Sequence, residues 1–426
     1  MALLIKNGIV VLGESCEVCD VLTDGKRIAK IAKNIREESA FDVIDASGLT
    51  VMAGFVDMHC HLREPGFEYK EDIASGTRAA LTGGFTAVAC MPNTDPVIDD
   101  KSVVRYVLSR AAECDNAKVY CIGAMTKGQE GKILSDMGAM KDEGIVAVSD
   151  DGRPVENGNM MRLITEYAET FSLLPISHCE CPDIADGGLV NEGLNATITG
   201  LKGILRAAEE AMIARDVLLA ESLNARIHIA HVSTKTGVAI IRDAKNRGVR
   251  VTCETCPHYF SATDDEILSF NTNAKINPPL RGEADVAAII EGLCDGTIDA
   301  IVTDHAPHSL EEKNREFAYA PNGTSGFETA FSLCYTNLVR AGHMDMMRLS
   351  RLMSANPSKI LRVGGGELRA GETADITIVD PEAPRVVDAS RFVSKGKNSL
   401  FDGWKLFGAV KRVIVDGVEK EIKTDD

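Results

Sequence analysis

The stretch GFVDMHCHLREPG, residues 54–66, sets His59 and His61 one residue apart at the end of an apolar run, with Arg63 two residues further on. On a strand, residues two apart leave the same face, so both imidazoles point the same way. Neutral imidazoles and carboxylates are the usual ligands of zinc and its neighbours. A forked guanidinium beside them suits a carboxylate. Further candidate ligands end other apolar runs: Asp151 in AVSDDG, His178 in LLPISHCE, His231 in RIHIAHVST and Asp304 in IDAIVTDHAPH. Six ligands exceed the needs of one open tetrahedral ion and suit two ions that share a bridging group. Asp150 rivals Asp151, but adjacent strand residues face opposite ways, so only one can serve. By the same parity His228 is expected against helices and His305 away from Asp304. His258 is open between a supporting and a structural role, and His343 is expected at the surface.

These residues need elements that bring them together. Eight short apolar runs recur along the middle of the chain, at LTVMAGFVDMHCH, FTAVACMPN, KVYCIGAMT, GIVAVSDDG, LLPISHCE, RIHIAHVST, RVTCETCPHYF and IDAIVTDHAPH. Helix-like stretches follow them, for example Leu201, Ile204, Leu205, Ala208 and Met212 at helical spacing. Eight buried strands alternating with helices predict a (β/α)8 barrel, a TIM-like α/β fold whose strand ends converge on one mouth. An open doubly wound sheet is the rival, yet no G-x-G-x-x-G follows any strand. The first ~50 residues and the last ~65 are strand-rich, with Asp-Gly turn signals at Asp24-Gly25 and Asp416-Gly417. We therefore expect residues 53–357 to form the barrel, with 1–52 and 358–426 sharing a small β domain.

Composition narrows the function. The 426 residues carry a net charge of −17, which disfavours nucleic acid or an anionic membrane surface as a partner. The N-terminus lacks a basic signal-peptide region and no apolar run approaches a membrane span, so a cytoplasmic protein is expected. Twelve cysteines in a chain of this size point to reduced thiols. The pairs Cys16/Cys19 and Cys253/Cys256 lie in strand-like segments, where residues three apart face opposite ways and cannot chelate one ion. Cys60 is read as a thiol facing away from His59 and His61.

Taken together, VDMHCHLREPG, MPNTDP, SDDGRPV, HIAHVST, KINPPLR and VTDHAPH resemble the motifs of bacterial type I dihydroorotases of the amidohydrolase superfamily. The likeness runs from about Leu4 to Val418. It implies a binuclear zinc site in which His59, His61, Asp151 and Asp304 hold one ion and Asp151, His178 and His231 the other. The wider superfamily bridges its ions with a carboxylated lysine on the fourth strand. Here Lys141 precedes that strand, and Asp151 stands in as the bridge.

The implied reaction is reversible cyclisation of N-carbamoyl-L-aspartate to (S)-dihydroorotate, in pyrimidine synthesis. Two divalent ions lower the pKa of a shared water from ~15.7 to near 7. Asp304 would carry its proton to the departing ring nitrogen. Arg63, Asn93 and Asn277 would bind the substrate carboxylate, with His61, His308, Asn322 and Gly323 around the ring. Asn322 departs from the family, which usually has an aromatic residue there. Alternative readings are an allantoinase, a hydantoin- or dihydropyrimidine-opening enzyme, a single-metal variant, or a metal-free assembly subunit. A homodimer is expected, and association with aspartate carbamoyltransferase is the partner the likeness suggests.

Overall fold

A computed structural model describes residues 2–423. Its central sheet has eight parallel strands: β1 (Phe55–Cys60), β2 (Phe85–Cys90), β3 (Lys118–Gly123), β4 (Ala147–Ser149), β5 (Leu174–Ser177), β6 (Ile227–Ile229), β7 (Val251–Thr255) and β8 (Ala300–Ile301). They pair in chain order. A parallel bridge between Cys60 and His305, where the His61 N–H donates to the His305 carbonyl at 2.9 Å, brings the first and last strands together. The sheet is thereby curled into the (β/α)8 barrel.

Both faces of these strands are covered, which is why they read as continuous apolar runs rather than alternating ones. Phe55, Val88, Val148, Ile229, Cys253 and Ile301 pack in the cluster that includes the helix residues Ile73, Val104 and Ile164. Met58, Ala89, Ile122, Ala147, Ile176, Ala230 and Cys256 fill the barrel interior. Cys60 belongs to the helix-side cluster, away from the two neighbouring imidazoles. Cys253 and Cys256 lie on opposite sides of their sheet, and all twelve cysteines are free thiols.

Two runs divide differently from the sequence reading. LTVMAGFVDMHCH breaks at Gly54, where a Cβ would sit 2.3 Å from the Thr86 side chain, so Thr50–Ala53 leaves for the other sheet. The stretch from Leu201 to Met212 is not one helix. Gly203–Ile204 pairs with Val190–Asn191, and the helix begins only at Ala207, running to Leu223. Gly200 and Gly203 are poor helix formers, and Gly200 takes a φ of 69°.

The second sheet draws on both chain ends. Thr50–Ala53 pairs antiparallel with Ile376–Val386 and parallel with Ala2–Val11, linking the two termini through one short strand. Its core is Ile5, Val10, Val21, Val51, Ile376, Ile378 and Ile414. Lys118 ties this sheet to β3 through Asp375 at 2.7 Å and Asp416 at 2.5 Å. Residues 393–400 leave it and return to the barrel mouth, where Asn398 Nδ2 donates to the carbonyls of Ala306 and Gly323. Among the described residues no helix is long and apolar enough to cross a membrane.

Candidate metal centre and substrate cavity

The strand ends deliver six side chains to one point. His59 Nε2 lies 3.4 Å from Asp151 and 3.6 Å from Asp304. His61 Nε2 lies 3.5 Å from Asp151 and 3.1 Å from Asp304. On the other side of Asp151, His178 Nδ1 is 3.6 Å and His231 Nε2 3.5 Å away, and these two imidazole nitrogens face each other at 2.8 Å. The ligand atoms therefore fall into two groups, His59/His61/Asp151 and Asp151/His178/His231, with Asp151 common to both. A third close group, Cys256/His258/Asp304, lies beside them.

Local backbone sets this geometry. Asp151 follows the inward positions Ala147 and Ser149 at steps of two, and Asp150 faces the other way. Asp150 accepts from the backbone N–H groups of Met125 and Thr126 and from the Thr126 hydroxyl, so it closes a neighbouring loop. His231 breaks the parity rule with a φ of 34°, and Asp304 and Arg63 also take positive φ, at 45° and 64°. Such conformations cost about 1–3 kcal/mol each for non-glycine residues and persist where the surroundings fix them. The turn at His231 explains the one misplaced histidine. His228 was expected on the helix side; it points inward instead, with Nε2 3.1 Å from Glu254 and Nδ1 2.7 Å from the Thr252 hydroxyl.

Glu254 is a residue that the sequence reading missed. Its other oxygen accepts from His59 Nδ1 at 2.6 Å, both side chains being fully buried. His61 is held likewise, its Nδ1–H donating to Asn93 Oδ1 at 2.9 Å. Each ring then offers only Nε2 to the centre. His59 Nε2 and Asp151 Oδ1 are buried with no hydrogen-bond partner, an arrangement costly in an apolar interior and suited to a cation. The alternation of imidazole and carboxylate donors fits a divalent ion of the zinc type. Lys141 is turned elsewhere, its Nζ donating to the Ile145 carbonyl at the base of β4.

Charge follows the same pattern. Burial opposes ionisation of Asp304, but the His61 hydrogen bond and the charges of His59, His61 and His231 outweigh it, holding the carboxyl at about 2. Asp151 is held well below the usual range in the same way, burial being outweighed chiefly by His59 and His231. His258 lacks such partners, and burial drives it down to about 4. It is a neutral imidazole beside Asp304, with Nε2 unpartnered. His305 faces away from the centre, stacked on Phe327 at 4.1 Å, and His343 is exposed.

Over the centre lies a cavity of about 150 Å³, lined among others by His61, Arg63, Asn93, Asp151, Asn277, Asn322 and Gly323. Arg63 is half-buried, donates through Nε to the Pro307 carbonyl at 3.2 Å, and has no carboxylate partner among the described residues. Asn277 spends Nδ2 on Glu180, a second residue the sequence reading missed, and leaves Oδ1 unpartnered. His308 stands behind Arg63 at 3.4 Å and meets the Asn322 carbonyl at 2.8 Å. Gly323 adopts a φ of 133°, and a Cβ there would meet Ala306 at 2.7 Å.

Residues 48–237 match the family model described as dihydro-orotase-like. The chain is 54% identical to a dihydroorotase of Acetivibrio thermocellus over 97% of its own length and 98% of the relative's. It is 52% identical to that of Ruminiclostridium cellulolyticum, covering 98% of each. This chain belongs to the dihydroorotase family. Among solved structures, an L-hydantoinase (dihydropyrimidinase) from Arthrobacter aurescens superposes with a TM-score of 0.88 at 26% identity, covering 99% of this chain and 96% of that one. A dihydroorotase-family barrel thus shares its architecture with enzymes named for uncharged cyclic amides, and the cavity must carry the distinction.

Proposed function

We propose that this chain is a dihydroorotase that interconverts N-carbamoyl-L-aspartate and (S)-dihydroorotate, the third step of de novo pyrimidine synthesis, with two zinc ions held by His59, His61, Asp151, Asp304, His178 and His231. The observation that carries this reading is the half-buried, carboxylate-free Arg63 lining a cavity over two His/Asp groups that share Asp151. Divalent ions held there by the His/Asp groups would supply hydroxide at neutral pH and Lewis acidity toward the ring amide carbonyl. Asp304, ionised in its histidine surroundings, accepts the proton of the attacking water and returns it to the departing ring nitrogen. In cyclisation the same carboxyl moves the proton the other way. Arg63 binds the substrate's carboxylate through the part of its fork that Pro307 leaves free, with Asn277 beside it and the Asn322–Gly323 turn against the ring. Asn93 acts mainly through His61, whose Nδ1–H it accepts.

A hydantoinase or dihydropyrimidinase would use the same metal-holding groups on an uncharged ring. Arg63 would then face no anion, leaving an unpaired, half-buried charge, which is unfavourable. Arg63→Met separates the two readings. Loss of one partner of a buried charge pair costs about 3–5 kcal/mol, so kcat/KM for dihydroorotate should fall by ~10²–10³. Residual opening of dihydrouracil, which has no carboxylate, should hardly change. Equal losses on both would assign Arg63 to holding its turn instead. A homodimer and association with aspartate carbamoyltransferase are expectations of the family likeness, and a cytoplasmic location is the expectation from the sequence itself. Sedimentation of the metal-loaded chain, alone and mixed with that enzyme, tests the two assembly expectations.

A further inference from the structure

Behind the Asn322–Gly323 turn lie two lysines that the mechanism above does not use. Lys313 is 3% exposed and Lys275 5%, and neither forms an ion pair among the described residues. Nearby Lys70, by contrast, is paired with Glu312 at 2.9 Å. Lys313 Nζ donates to the carbonyls of Pro321 at 3.0 Å and Gly323 at 3.1 Å. Lys275 Nζ donates to the Ala318 carbonyl at 2.9 Å and lies over the Phe317 ring, and its own carbonyl accepts from the Gly323 N–H. With His308 meeting the Asn322 carbonyl, the carbonyls of 318, 321, 322 and 323 are all engaged by nitrogen groups.

Two consequences follow for a ligand in the cavity. The turn has few carbonyl oxygens left to repel an anion, and two ammonium groups stand behind it without compensating carboxylates. A buried charge of this kind is unfavourable unless something of opposite sign comes near. Its field already reaches the site: burial together with Arg63, Lys70 and Lys313 holds His308 uncharged. Burial and the neighbouring Lys275 push Lys313 itself down to about 7, so its charged form has much to gain from an anion.

We propose that Lys313, backed by Lys275, is a specificity-determining positioning residue that fixes the 318–323 turn and favours a ring bearing a carboxylate over an uncharged one. This inference rests on the dihydroorotase reading, and its test keeps the two apart. Metal-loaded wild type is first assayed on dihydroorotate; absence of turnover would overturn that reading and this inference with it. Binding of N-carbamoyl-L-aspartate, with two carboxylates, and of N-carbamoyl-β-alanine, with one, is then measured by calorimetry on metal-loaded wild type and Lys313→Met. The variant should bind the first about tenfold more weakly, an order-of-magnitude figure for one charge acting through a protein interior. The second should change less than about twofold on the same reasoning. Equal weakening of both ligands would show that Lys313 merely shapes the turn, and no weakening would show that it does neither; either result overturns the inference. If Lys313→Met fails to fold, Lys275→Met is measured instead. It should show the same selective loss, and a uniform loss or none would overturn the inference equally.

Discussion

At the residue scale, the account separates two adjacent aspartates. Asp151 touches all four imidazoles, whereas Asp150 accepts three hydrogen bonds from the Met125–Thr126 loop. Asp151→Ala should therefore empty the centre, while Asp150→Ala should keep its metal and lose stability by about 1–3 kcal/mol for each buried donor stranded. Metal analysis and thermal melting of both variants check this, and metal loss confined to Asp150→Ala would contradict it. Strand parity made it legible that only one of the two could serve, and the family likeness pointed to Asp151. Parity failed at His231 because its left-handed backbone shifts which side its neighbours occupy, and no residue type announces that. Glu254 was hidden for another reason: within VTCETC the thiols drew the reading, and its partner His59 lies 195 residues away in sequence. We expect Glu254→Gln to weaken zinc binding about 10–100-fold in chelator competition, the usual effect of losing the group that orients a ligand histidine. Unchanged competition would leave Glu254 a purely structural carboxylate.

At the element scale, the barrel was legible because its strands are buried on both faces and spaced by helices. The exchange of Thr50–Ala53 into the terminal sheet was not, since an apolar run does not show which sheet each half joins. The return of residues 393–400 to the mouth was also silent in the sequence. It is secured by Glu328, on the helix Phe327–Cys334, whose carboxylate accepts from the backbone N–H groups of Val393 and Ser394. Burial outweighs these bonds and raises the Glu328 carboxyl from 4.5 to about 7. A folded-state value above the unfolded one means that the folded chain binds more protons between them. The contribution is thus fully present below about 4.5 and is lost as pH rises through about 7, with a slope of up to about 1.4 kcal/mol per pH unit. Glu328→Gln should flatten the fall in melting temperature between pH 5 and 8 relative to wild type. Identical pH profiles would show that this carboxyl does not govern the clasp.

At the scale of the whole molecule, an acidic chain of net charge −17 sets three cations without a carboxylate partner among the described residues at or behind the cavity over the metal-holding groups. Arg63 lines that cavity, and Lys313 and Lys275 stand behind its turn, so the local field opposes the global one and selects for an anionic ring. The chain belongs to the dihydroorotase family and shares its fold with a solved L-hydantoinase, so substrate preference is the direct test of this account. The most direct measurement is kcat/KM of the zinc-loaded protein on dihydroorotate, dihydrouracil and allantoin under one set of conditions. Dihydroorotate should be preferred over both by at least ~10²-fold, the scale of one buried arginine–carboxylate pair. A preference for dihydrouracil or allantoin would contradict the account.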